Sequence, residues 1–294
     1  MFQFSKFPIY VVYSKNWQKN LRRLWDSYST DVWLARRSVS DNLLKMKISN
    51  LIRDSKRVHD GKRLILALRE FELEEDIKPK YASEILAYEN EIRQLLILIS
   101  STRIGQLLLN SLNQRSKIWI IPSLGPSHLA MTHPALSSEY DGIRIFFNPD
   151  GFHNTFVSPT ATADAREEVL FHELVHASRF SNARFLPKPF TNESNFHNSE
   201  EFLAEQLANV YHSTRQKSKI YGLYNGGYAS KDEAYKMFIE NAEYIMALKY
   251  LLQTEPLVRQ VAALKTPDYN PFRDYQKLEK ESLKHHGIDS FLDF

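Results

Sequence analysis

Five consecutive residues, His172-Glu173-Leu174-Val175-His176, set two imidazoles and a carboxylate at a spacing that suits metal chemistry. On a helix, residues i and i+4 stack one turn apart on one face, so both imidazoles can ligate a single ion. Glu173 then sits beside that face, where its carboxylate reaches a water on the metal. Zinc brings the pKa of such a water to about 7. Glu173 would take the proton, the hydroxide would attack a carbonyl, and Glu173 would pass the proton to the leaving nitrogen. The expected chemistry is hydrolysis by a zinc metallopeptidase, with Glu173 as general base and Zn2+ as the cofactor.

Two imidazoles leave a third protein ligand to find, because a catalytic zinc ordinarily takes three protein ligands and one water. The next helical stretch, Ser199-Glu200-Glu201-Phe202-Leu203-Ala204-Glu205, carries Glu201 and Glu205 one turn apart on a shared face. One can bind zinc while the other hydrogen-bonds a ligand imidazole and fixes its tautomer. His197 is a rival ligand. So is His212, three turns beyond Glu201 and expected at the surface.

The elements that must position these residues read as mainly helical α+β: a small mixed β-sheet with two active-site helices. From about Ser14 to Leu112 the pattern is helical, with Trp17, Leu21, Leu24 and Trp25 at helical spacing. Leu64, Leu66, Leu68 and Phe71 begin another apolar segment, and Pro79 breaks it. A long helix follows through Ile85, Ile92, Leu96 and Ile99, interrupted at Ser100-Ser101-Thr102. Residues 1–100 are read as a helical N-terminal region serving substrate or partner binding, and 101–294 as the catalytic domain. Lys117 to Pro122 and Arg144 to Gly151 read as strands, the second running into a turn. His128 and His133 lie between them in a loop or hairpin. Asp164 caps the motif-bearing helix, with Glu167 completing a capping-box pair, and the helix runs to about Phe180. A loop spans 181–199 and a helix starts near Ser199. The Tyr221 to Tyr228 segment precedes a further helix over roughly 231–252. The tail past Pro267 reads as irregular, apart from a short segment near 274–286.

Composition narrows the chemistry. The 294-residue chain has no cysteine, which excludes a disulfide framework, a thiolate zinc cage and a cysteine nucleophile. No stretch approaches the roughly 18 apolar residues needed to span a bilayer, and the first residues do not read as a cleaved secretory signal. The net charge is +3, but residues 1–60 hold 12 Lys/Arg against 5 Asp/Glu. That bias reads as a solvated helix face; no nucleic-acid module accompanies it and no nucleic-acid partner is expected.

Several segments together carry a family resemblance. His172 to His176, followed by Glu201-Phe202-Leu203-Ala204-Glu205 and Asn209-Val210-Tyr211-His212-Ser213, resembles the gluzincin-type endopeptidases used as bacterial toxins and effectors. Together with Thr102, Gly105, Leu108 and Leu109, and the Phe-Phe-Asn-Pro strand end at 146–149, it is similar to the NleD-type family of type III secretion effectors. It also resembles the catalytic domain of anthrax lethal factor, whose matching first glutamate implies Glu201 as the zinc ligand. The resemblance covers roughly residues 101–215. It implies an effector secreted without a cleaved signal peptide. The effector would act in the host cell cytoplasm, as a monomer, on a host protein of the mitogen-activated protein kinase pathway. It also implies a tyrosine that stabilises the oxyanion. Thr191 to Asn198 holds none, so Tyr224, Tyr228 or His197 stands in for it. The strand at Arg144 to Asn148 is expected beside the cleft, pairing with extended substrate. A zinc amidase acting on cell wall, or a non-catalytic effector binding host protein or nucleic acid through the basic N-terminal helices, are the alternative readings.

Overall fold

The computed structural model describes residues 2–11, 82–121, 130–134, 142–147, 149, 166–190, 196, 198–215, 220–223 and 227–291. The helical readings around Trp17 to Trp25 and Leu64 to Phe71, Pro79, His128, Asp164, His197 and Tyr224 all lie outside those residues. The described chain is mainly helical with a small mixed sheet, an α+β arrangement.

Five short strands of the described residues form one sheet. They are β1 (Phe2–Gln3), β2 (Ile9–Val11), β3 (Ile118–Ile121), β4 (Met131–Pro134) and β5 (Ile143–Phe146), in the order β1-β2-β3-β5-β4. β2, β3 and β5 run parallel, whereas β1 and β4 run antiparallel at the two edges. β3 and β5 are buried at every position, as parallel strands covered on both faces must be. β3 matches the strand expected over Lys117 to Pro122. The second strand is Ile143–Phe146, opening one residue before the Arg144 start expected, and its hairpin partner is β4, which includes His133. β1 and β2 belong to the same sheet as β3, and Phe4, Ile9, Val11 and Ile92 share one apolar core with Leu170, Leu174 and Phe202.

The corner between α1 (Ala82–Ser100) and α2 (Arg103–Ser111) has a local cause. Thr102 is extended at φ −98°, ψ 151°, and its hydroxyl accepts from Gly105 N at 3.1 Å, capping α2. The two helices diverge by 109°. So tight a turn brings Ile99 O to 1.8 Å from where a Cβ on residue 105 would stand, which only glycine tolerates. No single helix among the described residues is long and apolar enough to cross a membrane.

α3 (Arg166–Ser181) lies over β4 and β5 and packs against α1, α2 and α4 (Ser199–Thr214). Beyond α4, β6 (Ile220–Leu223) and β7 (Gly227–Ala229) form an antiparallel hairpin. The helix expected over 231–252 is two helices, α5 (Lys231–Glu240) and α6 (Ala242–Thr254). Asn241 divides them: its side chain accepts from Glu243 N at 3.0 Å, a local bond that competes with the helical ladder. A further helix, α7 (Pro256–Ala262), was not foreseen; Pro256 opens it, since proline suits a first turn but not a helix interior. α8 (Tyr275–His286) occupies the segment expected near 274–286 and ends at Gly287, at φ +65°.

Gly105→Ala is expected to lower stability by about 1–3 kcal/mol, the usual cost of overpacking, and more if Ile99 cannot yield. Urea denaturation of the purified variant measures it.

Candidate metal centre

Helix periodicity explains why the motif residues point where they do. Leu170, Leu174 and Ala177 bury one side of α3 and Phe171 stacks on Tyr211 of α4 at 4.5 Å between ring centroids. Leu174 and Val175 are buried, as their inner positions in the motif require. That packing leaves His172 and His176 on the face turned to α4. α4 is started by Asn198, whose Oδ1 accepts from Glu200 N at 2.9 Å and Glu201 N at 3.1 Å. The cap fixes Glu201 in the first turn, directly opposite the two imidazoles.

His172 Nε2 lies 3.0 Å from His176 Nε2 and 3.2 Å from Glu201 Oε2, and His176 Nε2 lies 3.5 Å from Glu201 Oε1. Four ligands about 2.0–2.1 Å from a tetrahedral zinc stand roughly 3.3–3.4 Å apart. The three side chains therefore already sit at near-ligand spacing. Among the described residues this is the group of His, Asp and Glu whose donor atoms converge closely enough to hold a metal. Glu205 Oε2 stands 3.6 Å from His172 Nδ1, on the side of the ring away from Glu201. That sets its carboxylate against the ring nitrogen that Glu201 does not face.

The carboxylates also act on the imidazoles electrostatically. Burial opposes charge on His172, but the carboxylates of Glu201 and Glu205, with the nearby charge of Glu173, outweigh it and push the imidazole up to about 10. Burial would raise Glu201, yet the hydrogen bonds and charges of His172 and His176 hold it well below the usual carboxylate range. A proton on His172 thus takes the positive role that a divalent ion would fill, and metal binding would release it.

Glu173 is buried and held from the sheet. Thr132 of β4 places its hydroxyl 2.7 Å from Glu173 Oε2 and 2.9 Å from Glu173 O. Sequence reasoning missed Thr132, and no signal pointed to it, because 41 residues separate the partners.

The centre belongs to a longer seam of matched charges between the antiparallel α3 and α4. Glu167 pairs with Arg215 at 3.2 Å and Glu168 with His212 at 2.8 Å. After the two metal-facing imidazoles, Arg179 clasps Glu200 through two bonds of 2.9 and 2.7 Å and also reaches Glu255. One expectation changes here. His212 is buried in the Glu168 pair rather than at the surface, and it stands apart from the ligand group.

The substrate-pairing expectation for the strand at Arg144 to Asn148 is overturned. β5 is interior, with β3 hydrogen-bonded on one side and β4 on the other, so neither edge is free. Among the described strands, β4 stands last in the sheet order and packs beside α3. Tyr228 lies in β7 opposite Tyr221, while Tyr224 and His197 lie outside the described residues.

Compared with family models, curated proteins and solved structures, the chain matches none.

Replacing Arg179 by leucine would leave the buried Glu200 without its cationic partner and Glu255 with only the more exposed Arg184 at 3.6 Å. A loss of about 3–5 kcal/mol is expected in chemical denaturation. The metal-free protein should also show a signed pH dependence. The folded pKa of His172, about 10, lies above its ordinary 6.5, so its stabilisation is complete below about pH 6.5 and declines toward pH 10. Thermal melts in chelator should fall over that interval, and His172→Gln should flatten the slope.

Proposed function

We propose that the protein is a zinc-dependent endopeptidase. The observation that carries this reading is the convergence of His172, His176 and Glu201 to near-ligand spacing beside a buried glutamate, Glu173, whose carboxylate is tethered. Two imidazoles and one carboxylate suit zinc and leave a position for water or substrate. A zinc ion so held supplies Lewis acidity, which acidifies water and polarises a carbonyl.

This chain's own residues do the rest. Glu205 orients His172. Glu173 takes a proton from the attacking water and delivers it to the leaving nitrogen, so that one C–N bond breaks and a carboxylate and an amine result.

The motif resemblance extends the reading to a gluzincin-like effector, delivered into a host cell and cutting a host signalling protein of the mitogen-activated protein kinase pathway. Tyr224 and Tyr228 are the tyrosines proposed to stabilise the oxyanion.

Elemental analysis of the purified protein is expected to give about one zinc per chain, kept in Glu173→Gln and lost in His172→Ala. Glu201→Ala should lower zinc affinity far more than Glu205→Ala, because a ligand is removed in one case and an orienting partner in the other. Equal zinc content in the two variants would take Glu201 off the ligand set. No zinc after supplementation would end the peptidase reading. Incubation of the zinc-loaded protein with host kinases, with Glu173→Gln as control, tests the substrate.

A further inference from the structure

We propose that Thr132 is the positioning residue for Glu173: its hydroxyl, presented by strand β4, holds the carboxylate in line. This role rests on Glu173 being the general base of a zinc peptidase, as proposed above.

The argument starts from how few protons a hydroxyl has. Thr132 Oγ1 carries one hydrogen and two lone pairs, yet it lies within hydrogen-bond distance of two acceptors of the same residue, Glu173 Oε2 at 2.7 Å and Glu173 O at 2.9 Å. With Glu173 ionised, the hydrogen goes to the carboxylate, because a charge-assisted bond is the stronger of the two. Held there through Oε2, the carboxylate keeps its other oxygen for the proton taken from water. Losing the threonine bond would leave a buried carboxylate oxygen unpaired and free to turn.

The placement is rigid at both ends. Thr132 pairs with Ile145 in the β4–β5 ladder, and Ile145 is fully buried. Glu173 is fixed by α3 between two buried neighbours, Phe171 and Leu174. A hydroxyl on the Cβ of a short, β-branched side chain has little freedom to wander, so the carboxylate is aimed by the sheet rather than by its own rotamer. The two metal-facing imidazoles flank Glu173 on α3, so a swing of its carboxylate would change its reach to anything bound there.

The test uses the full chain loaded with zinc and acetohydroxamate as the probe. A hydroxamate grips zinc through two oxygens and gives a hydrogen to a neighbouring carboxylate, so its affinity reports where Glu173 points, with no substrate needed. Calorimetry is expected to show Glu173→Gln and Thr132→Val each weakening the probe by about 10-fold or more, and Thr132→Ser by less than about 3-fold. Zinc content by elemental analysis should be unchanged in all three. In the Glu173→Gln background, Thr132→Val should add nothing further, since a positioning residue has no effect once the group it positions is gone. A purely structural threonine would weaken binding equally in both backgrounds, and that result would overturn the proposal. So would wild-type affinity in Thr132→Val beside a weakened Glu173→Gln. Should the valine variant fail to fold, Thr132→Ala against Thr132→Ser makes the same comparison. Failure of the wild-type chain to bind zinc or the probe, or a Glu173→Gln variant of undiminished affinity, would instead remove the peptidase reading itself.

Discussion

Two helices that face each other with acids and bases can pack only if those charges are matched, and the α3–α4 contact is built around that constraint. From one end to the other, Arg215 meets Glu167, His212 meets Glu168, the imidazoles of His172 and His176 meet Glu201, and Glu200 meets Arg179. Most of these groups are buried, so an unmatched partner would be costly. In the outer pairs an arginine or histidine faces each carboxylate. At the centre, the carboxylates of Glu201, Glu205 and Glu173 hold the His172 imidazole well above its ordinary pKa. The same packing that closes the core thus leaves one place in it suited to a cation.

The sheet contributes from the other side. Its interior strands β3 and β5 are buried at every position, while the antiparallel strand β4 brings a hydroxyl to the carboxylate of the motif. The corner at Thr102 and Gly105 turns the chain so that α2 packs against α3 and α4. Ser111 reinforces that placement, its hydroxyl lying 2.7 Å from the Ser178 hydroxyl on α3. The threonine and glycine of the resembling T-x-x-G segment therefore have a structural task of their own: one caps, the other makes room for Ile99 O.

Much of this was legible in the residue order. Spacing of four between the imidazoles, an asparagine before an acidic run, and buried positions at Leu174 and Val175 are local signals, and local hydrogen bonding and periodicity decide them. The division at Asn241 was also a local signal, an asparagine able to cap both ways, outweighed in the reading by the apolar period running through it. The substrate strand was misplaced because periodicity identifies a strand without telling whether it lies inside a sheet or at its edge. His212 was placed outside because a histidine near a helix end usually is, and its partner Glu168 lies 44 residues earlier.

By itself, the sequence determined the chemistry available to this protein: two imidazoles and a carboxylate on one helix, two glutamates on one face of another, and no thiol to compete. Those follow from side-chain type and helical period, which act over a few residues. Tertiary structure alone decided that Glu201 faces the imidazoles while Glu200 turns to Arg179, that β4 rather than β5 borders the site, and that Thr132 reaches Glu173. Each depends on which surfaces of separate elements meet, and that is set by the burial of apolar faces across the whole core, not by any stretch of neighbouring residues.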